Sequence, residues 1–322
     1  MSVPARPPTT TVAQARVVEE VLAWGRPRPP APGGLADALA QRLDAAITAG
    51  AGQAGASPAG RRVLAVRALV AELTPHGPPA HDRATVRGIL LGRSFARDVE
   101  ARHLGPAEAI VTSVADELAA ERPADPASAS AWWNTADHTV RVGLLTEISD
   151  VLSDVRLLWP PLPERHLDVR VRPQLRAAVA GGRVLLAARP DLVLDSPRRD
   201  ARARAVVIVT RTGMPRPLQD RALTRATALV QTLAAGRPPF RWVVLHLTDG
   251  RLEVEELDPD VLMDTADSVG AQAARALAST VPGRRGGHGE DGHGGGRQGE
   301  TDHGEHGRSE GGRGAAGRGA QT

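Results

Sequence analysis

The chain reads as a mixed α/β protein, a helical region followed by an α/β core, and two features of its 322 residues predict this. Residues 34–158 carry apolar positions at helical spacing. From residue 174 onward the pattern changes to short apolar runs separated by Gly-Gly and Asp-Gly turns, in the order strand, strand, strand, helix, strand, strand, helix. Strands joined through a helical crossover call for a central sheet with helices on its faces.

Each element has a local reason. Residues 1–33 are expected to form a flexible N-terminal segment with one helix, Val12–Trp24, placing Val17, Val18, Val21 and Leu22 on one side. Arg26–Gly34 is a Pro/Gly linker. Leu35, Leu39, Leu43 and Ile47 mark an amphipathic helix, and the Gly/Ala-rich Ala49–Gly60 reads as loop. Val63–Leu73, Arg83–His103, Pro106–Ala120 and Ser128–Val155 read as helices, with Pro106 suited to a first turn. Trp159-Pro160-Pro161 closes the helical region, and the core is expected over 159–282. There Leu175–Val179, the Gly181-Gly182 turn and Val184–Leu194 read as a hairpin, and Ala205–Val209 as a strand buried on both faces. Leu218–Ala235 reads as a helix with Leu218, Ala222, Ala226, Leu229, Val230 and Leu233 inward. Phe240–Leu247, the Asp249-Gly250 turn and Leu252–Glu256 form a second hairpin, and Asp258-Pro259 opens a last helix. Residues 283–322, rich in Gly, Arg and His with almost nothing apolar, are expected to be a disordered tail.

Composition narrows the function classes. Hydrophobic residues make up 41%, but aromatics only 2% and tyrosine none, so the core must be built from Ala, Val and Leu. All 40 basic residues are arginine; the chain has no lysine. With no Lys, Tyr or Cys, a net charge of +3 suffices to push the sequence pI to 10.7, so that value is weak evidence for a nucleic-acid partner. The absence of cysteine excludes disulfides and thiolate metal sites. No segment has a signal-peptide core or the apolar length of a membrane span, which gives the expectation of a soluble cytoplasmic protein with no membrane partner.

One constellation carries chemistry. Arg189-Pro190-Asp191-Leu192-Val193-Leu194 is followed by the apolar run Ala205–Val209 and then by Arg211-Thr212-Gly213. This resembles the active-site hairpin of the PD-(D/E)XK nuclease superfamily, RecB-like branch, over about 160–280 and faintly over 80–160. The resemblance implies a restriction-endonuclease-like core, a mixed central sheet flanked by helices. It also implies metal-dependent cleavage of DNA, in which two carboxylates hold Mg²⁺ or Mn²⁺ against the scissile phosphate and a lysine orients the attacking water. Here Asp191 falls on the first acidic position, Val209 on the second and Arg211 on the lysine, with Thr212-Gly213 completing the turn. Gly88-Ile89-Leu90-Leu91-Gly92 is similar to the upstream Gly-x-Leu-x-His element, with Gly92 in place of His. Ala228–Leu233 is similar to the following helix, with Thr227 at its Tyr position.

Most of the chemistry is therefore missing. Valine cannot ligate a cation, and arginine grips phosphate but does not exchange protons at neutral pH. Asp191 and Arg211 remain as the candidate catalytic pair, and Arg189, Arg211, Arg216 and Gln219 as nucleic-acid contacts. Asp191 with Glu147, a helical acid that could replace the lost ligand, is the candidate site for weakly held Mg²⁺ or Mn²⁺. Against each stands a plainer role: a strand-end polar residue for Asp191, a salt-bridged Arg211, an exposed helix face for Glu147. Glu253 and Glu255 are expected to face solvent, Trp132 and Trp133 to pack, and His166 and His246 to be structural. Tail histidines such as His288 and His293 would bind metal only nonspecifically.

Three functions follow. The first is an inactive or impaired nuclease-like protein that binds DNA or a repair partner. The second is an active nuclease with migrated ligands. The third is a protein-interaction domain that has lost both activities.

Overall fold

The structure, a computed structural model, describes residues 9, 11–24, 26–53, 61–71, 82–122, 128–162, 167–195 and 205–279. The helices are α1 (Val12–Arg16, continued by a π turn over Val17–Val21), α2 (Leu35–Gln53), α3 (Val66–Ala71), α4 (Arg83–Glu100), α5 (Ala107–Ala120), α6 (Ala129–Thr135), α7 (His138–Leu158), α8 (Pro217–Ala235) and α9 (Pro259–Ser279). The strands are β1 (Arg62–Ala65), β2 (Asp168–Val171), β3 (Leu175–Val179), β4 (Val184–Ala188), β5 (Leu192–Asp195), β6 (Val206–Arg211), β7 (Arg241–His246) and β8 (Leu252–Glu256). The predicted tail, its histidines and His166 lie outside the described residues.

The strands form two mixed sheets, one ordered β2-β5-β6-β7-β8 and one ordered β1-β4-β3. β6 runs antiparallel to β5 and parallel to β7, so α8 must cross over one face of the sheet to join them. Strand alternation then feeds two cores. Leu192, Leu194, Val206, Ile208, Val243 and Leu245 pack toward α4, α5 and α7 in the first. Val193, Val207, Val209 and Trp242 pack toward α2, α3, α8, α9 and the smaller sheet in the second. The mixed α/β class thus holds, with helices on both faces of the larger sheet.

Four elements differ from the sequence reading. Val63–Leu73 is not one helix: Arg62–Ala65 pairs in parallel with β4 before α3 begins. β4 is an open ladder waiting for a partner, and that non-local pairing overrides the local helical spacing. Ser128–Val155 is two helices, because the side chain of Asp137 accepts from the Thr139 N–H as a new N-cap. Asp168–Val171 is an unforeseen strand beside β5. The described part of the N-terminal segment is anchored, not a loose lead: Val17, Val18 and Val21 are buried in the first core, and the Gln14 amide donates to Arg156 O at 2.8 Å.

Gly270 shows how closely α2 and α9 approach: a Cβ there would lie 2.6 Å from the Ala46 Cβ. On the other side of the molecule, Asp98 of α4 is fully buried and accepts from both Arg156 Nε (3.1 Å) and Nη2 (2.7 Å), with His103 Nδ1 at 2.5 Å. Burial opposes ionisation of this carboxyl, but the hydrogen bonds from His103 and Arg156 outweigh it and hold Asp98 below the usual carboxylate range. Because the folded-state value lies below the unfolded one, the contribution is complete above an unfolded value of about 4 and is lost as pH falls through the folded one. Asp98→Ala is expected to destabilise the protein by about 3–5 kcal/mol by stranding the arginine. The variant should also show less loss of stability on acidification than the wild type. Urea denaturation between pH 3 and pH 7 checks both.

Candidate functional site

Asp191 lies where the chain passes from β4 in the small sheet to β5 in the large one. Pro190, with no N–H to give, interrupts the run that the sequence presents as one strand. The Asp191 N–H donates to Ile208 O at 3.0 Å, and its carbonyl accepts from the Arg172 N–H at 2.9 Å. Its carboxylate accepts from the N–H (2.7 Å) and hydroxyl (2.9 Å) of Thr210, both at Oδ2. The β5–β6 register pairs Leu192 with Ile208, and one further step sets Asp191 opposite Val209. Two adjacent-strand positions thus face each other, but Val209 is buried in the second core and supplies no ligand.

Arg211 ends β6. Its Nε donates to Asp220 Oδ1 at 2.5 Å, and the other oxygen of Asp220 accepts from the Arg216 N–H at 2.9 Å. Asp220, in the first turn of α8, is 3% exposed, so a buried carboxylate pins both ends of the 211–216 turn. The plainer reading of Arg211 as salt-bridged is therefore right for its Nε, while its Nη groups have no partner among the described residues. The Arg216 side chain is exposed and makes one long contact, 3.4 Å, to Gln219 Oε1.

Glu147 is otherwise engaged. Its carboxylate receives Arg83 Nη2 at 3.0 Å and Arg87 Nε at 2.5 Å, tying α7 to the start of α4. Among the described residues no group of three or more His, Cys, Asp or Glu side chains gathers where one metal ion could be held. With Val209 apolar and Glu147 bound to two arginines, the residues the resemblance offers do not make a donor set for Mg²⁺ or Mn²⁺.

The charge around Asp191 is of the opposite sign. Arg172 follows β2 with a left-handed backbone (φ 44°), and its guanidinium has no hydrogen-bond or ion-pair partner among the described residues. Its pKa is pushed down to about 10, first by burial and then by Arg93 and Arg189 beside it, against the pull of Asp191 and Glu121. Arg93 reaches Glu121 at 2.5 Å through Nη1, but its buried Nε has no partner among the described residues. Arg189 is exposed, with Nε 3.4 Å from Arg172 O. Arg67 of α3 keeps solvent contact, yet crowding desolvates its guanidinium and lowers its pKa; Arg211 adds to that and Asp191 opposes it. Arg67 and Arg172 thus both feel the charge of Asp191, with Arg211 near Arg67 and with Arg93 and Arg189 near Arg172. The sequence reading found Arg189 and Arg211. It missed Arg67, Arg93 and Arg172, which carry no local signal in a chain with 40 arginines.

The upstream element reaches the same place. A Cβ at Gly92 would lie 3.2 Å from Thr210 Oγ1, and one at Gly88 would lie 2.5 Å from Thr212 Oγ1. α4 therefore packs against the end of β6 through two glycines, one at the position where the resemblance would put His. Elsewhere, Glu253 and Glu255 do not simply face water. Glu253 meets Arg251 at 2.9 Å and His246 at 3.4 Å, and Glu255 accepts from Arg225 (2.8 Å) and the Trp242 indole (2.6 Å). Leu218 is not inward: it is 84% exposed.

No family model matches the chain, and no curated protein matches it. Among solved structures the chain is similar to the "Crystal structure of SSO0001" at 10% identity, over 70% of this chain and 84% of that one, with a TM-score of 0.28. A likeness of that size fixes neither a fold family nor a function.

Two predictions follow from this geometry. Gly92→His, which restores the residue the resemblance lacks, is expected to cost about 1–3 kcal/mol by forcing α4 away from Thr210. Asp220→Ala leaves Arg211 unpaired and is expected to cost about 3–5 kcal/mol. In that variant, hydrogen exchange at the Arg216 amide should rise well above the wild-type rate. Denaturant midpoints and exchange mass spectrometry read the two results.

Proposed function

We propose that this protein binds the phosphodiester backbone of DNA at the arginine-lined face around Asp191, as a nuclease-like protein that does not cut. The observation that carries the reading is Arg172: a partly buried guanidinium with no partner among the described residues, beside Arg93 and Arg189. It remains charged at neutral pH, and a neighbouring phosphate oxygen would supply the counter-charge and the acceptors it lacks. Arg67, Arg189 and the Nη groups of Arg211 extend that surface around Asp191.

A restriction-endonuclease-like core belongs to the same proposal. It is supported by the order hairpin β3–β4, continuation into β5, antiparallel β6, crossover α8 and parallel β7. It is further supported by the approach of Gly88 and Gly92 to the end of β6. Loss of cutting is supported by Val209 opposite Asp191 and by the pairing of Glu147 with Arg83 and Arg87.

Fluorescence anisotropy of labelled DNA across a salt series tests the reading. Wild-type affinity should fall linearly on a log–log plot, and Arg172→Ala or Arg67→Ala should reduce the slope by about 1 each. Asp191→Ala should bind more tightly, because a negative charge leaves an anion site. Incubation with Mg²⁺ or Mn²⁺ should leave the DNA intact. Cleavage that vanishes in Asp191→Ala would instead establish an active nuclease with migrated ligands, and salt-independent or absent binding would leave a protein-interaction role.

A further inference from the structure

The turn that follows β6 carries a second feature, next to the arginines but of different chemistry. Met214 is 88% exposed and Leu218 is 84% exposed, among the most exposed large apolar side chains of the described residues. Both sit on the segment that Asp220 pins through Arg211 and the Arg216 N–H, and Pro217 starts α8 between them. Leu218 occupies a first-turn position on an otherwise well-buried helix, so its exposure is a property of the site and not of a loose end.

We infer that Met214 and Leu218 form an apolar tip that contacts unstacked bases of a DNA strand whose phosphates lie on the neighbouring arginines; this rests on the DNA-binding reading above. Charge complementarity points to the occupant. The exposed Arg216 and the Nη groups of Arg211 flank the tip, and Asp220, the acid that pairs with Arg211 Nε, is buried. Nucleic acid presents that combination, a row of anions beside apolar base faces, and aliphatic Met and Leu wedges suffice to separate a base step. Stacking on aromatic rings, the commoner device, is not offered here. All seven aromatic side chains, Trp24, Phe95, Trp132, Trp133, Trp159, Phe240 and Trp242, are buried or half-buried. Two side chains are too small a patch for a stable protein interface, which buries on the order of 1,000 Å² or more. They are also far short of the apolar face that holds a helix on a lipid surface.

The experiment uses the full chain and oligonucleotides carrying 2-aminopurine, whose fluorescence rises when it unstacks, in single strands and at a duplex–single-strand fork. Wild-type protein at saturation should raise the fluorescence several-fold. The double variant Met214→Ser, Leu218→Ser changes only exposed side chains. It should keep the anisotropy-measured affinity within about threefold and the salt slope unchanged, while losing the fluorescence rise. Equal fluorescence for the two proteins would overturn the tip assignment. So would a double variant that changes only the sedimentation of the free protein, which would mark the tip as a contact between two copies. A wild type that fails to bind either DNA would sink the DNA-binding reading itself. Salt-dependent binding with no fluorescence rise would sink only the tip.

Discussion

A strand whose side chains are buried on both faces needs two cores, and β6 is that strand. Val206 and Ile208 supply one core, Val207 and Val209 the other, so helices must cover both sides of the sheet at its centre. The same alternation continues past the apolar run. It turns Thr210 toward α4, where Gly92 makes room for it and Asp191 accepts its hydroxyl. It turns Arg211 toward α8, where Asp220 waits. The site is the end of the core strand, and its residues are placed by the packing behind them.

Charge is handled throughout by guanidinium forks, as a chain with no lysine requires. Arg156 grips Asp98 through two nitrogens, Arg225 grips Glu255, and Arg42 grips Asp267. Arginine suits such pairs, buried or exposed, because its planar donors match a carboxylate and its charge is weakly hydrated. Against that background the cluster around Asp191 is the exception. Positive groups there outnumber the acids that could satisfy them, and Arg172 is left without a partner among the described residues. Val209, opposite Asp191, is apolar and supplies neither a metal ligand nor a counter-charge there.

Much of this was legible in the chain because the signals were local. Asp249-Gly250 and Gly181-Gly182 mark tight turns, and at the end of α8 Gly236 takes the left-handed conformation (φ 68°) that closes a helix. Where the reading failed, the deciding contact was distant in sequence. β1 is an edge strand whose pairing partner lies more than a hundred residues away, and nothing in Arg62–Ala65 announces it. Leu218 fits the inward stripe of α8 by spacing, but in the first turn of the helix it is left exposed. Asp137 was a legible cap overlooked inside a long helical pattern.

The sequence by itself determined the apolar run of β6 and the absence of lysine, because both are read from residue types without any distant contact. Only the tertiary structure decided that Glu147 is spent on Arg83 and Arg87, that Asp220 holds Arg211, and that Arg67 and Arg172 share the field of Asp191, with Arg93 beside Arg172. Electrostatic fields act through space. The residues that share one come from α3, α4 and three separate turns and strand ends, which no local pattern in the sequence brings together.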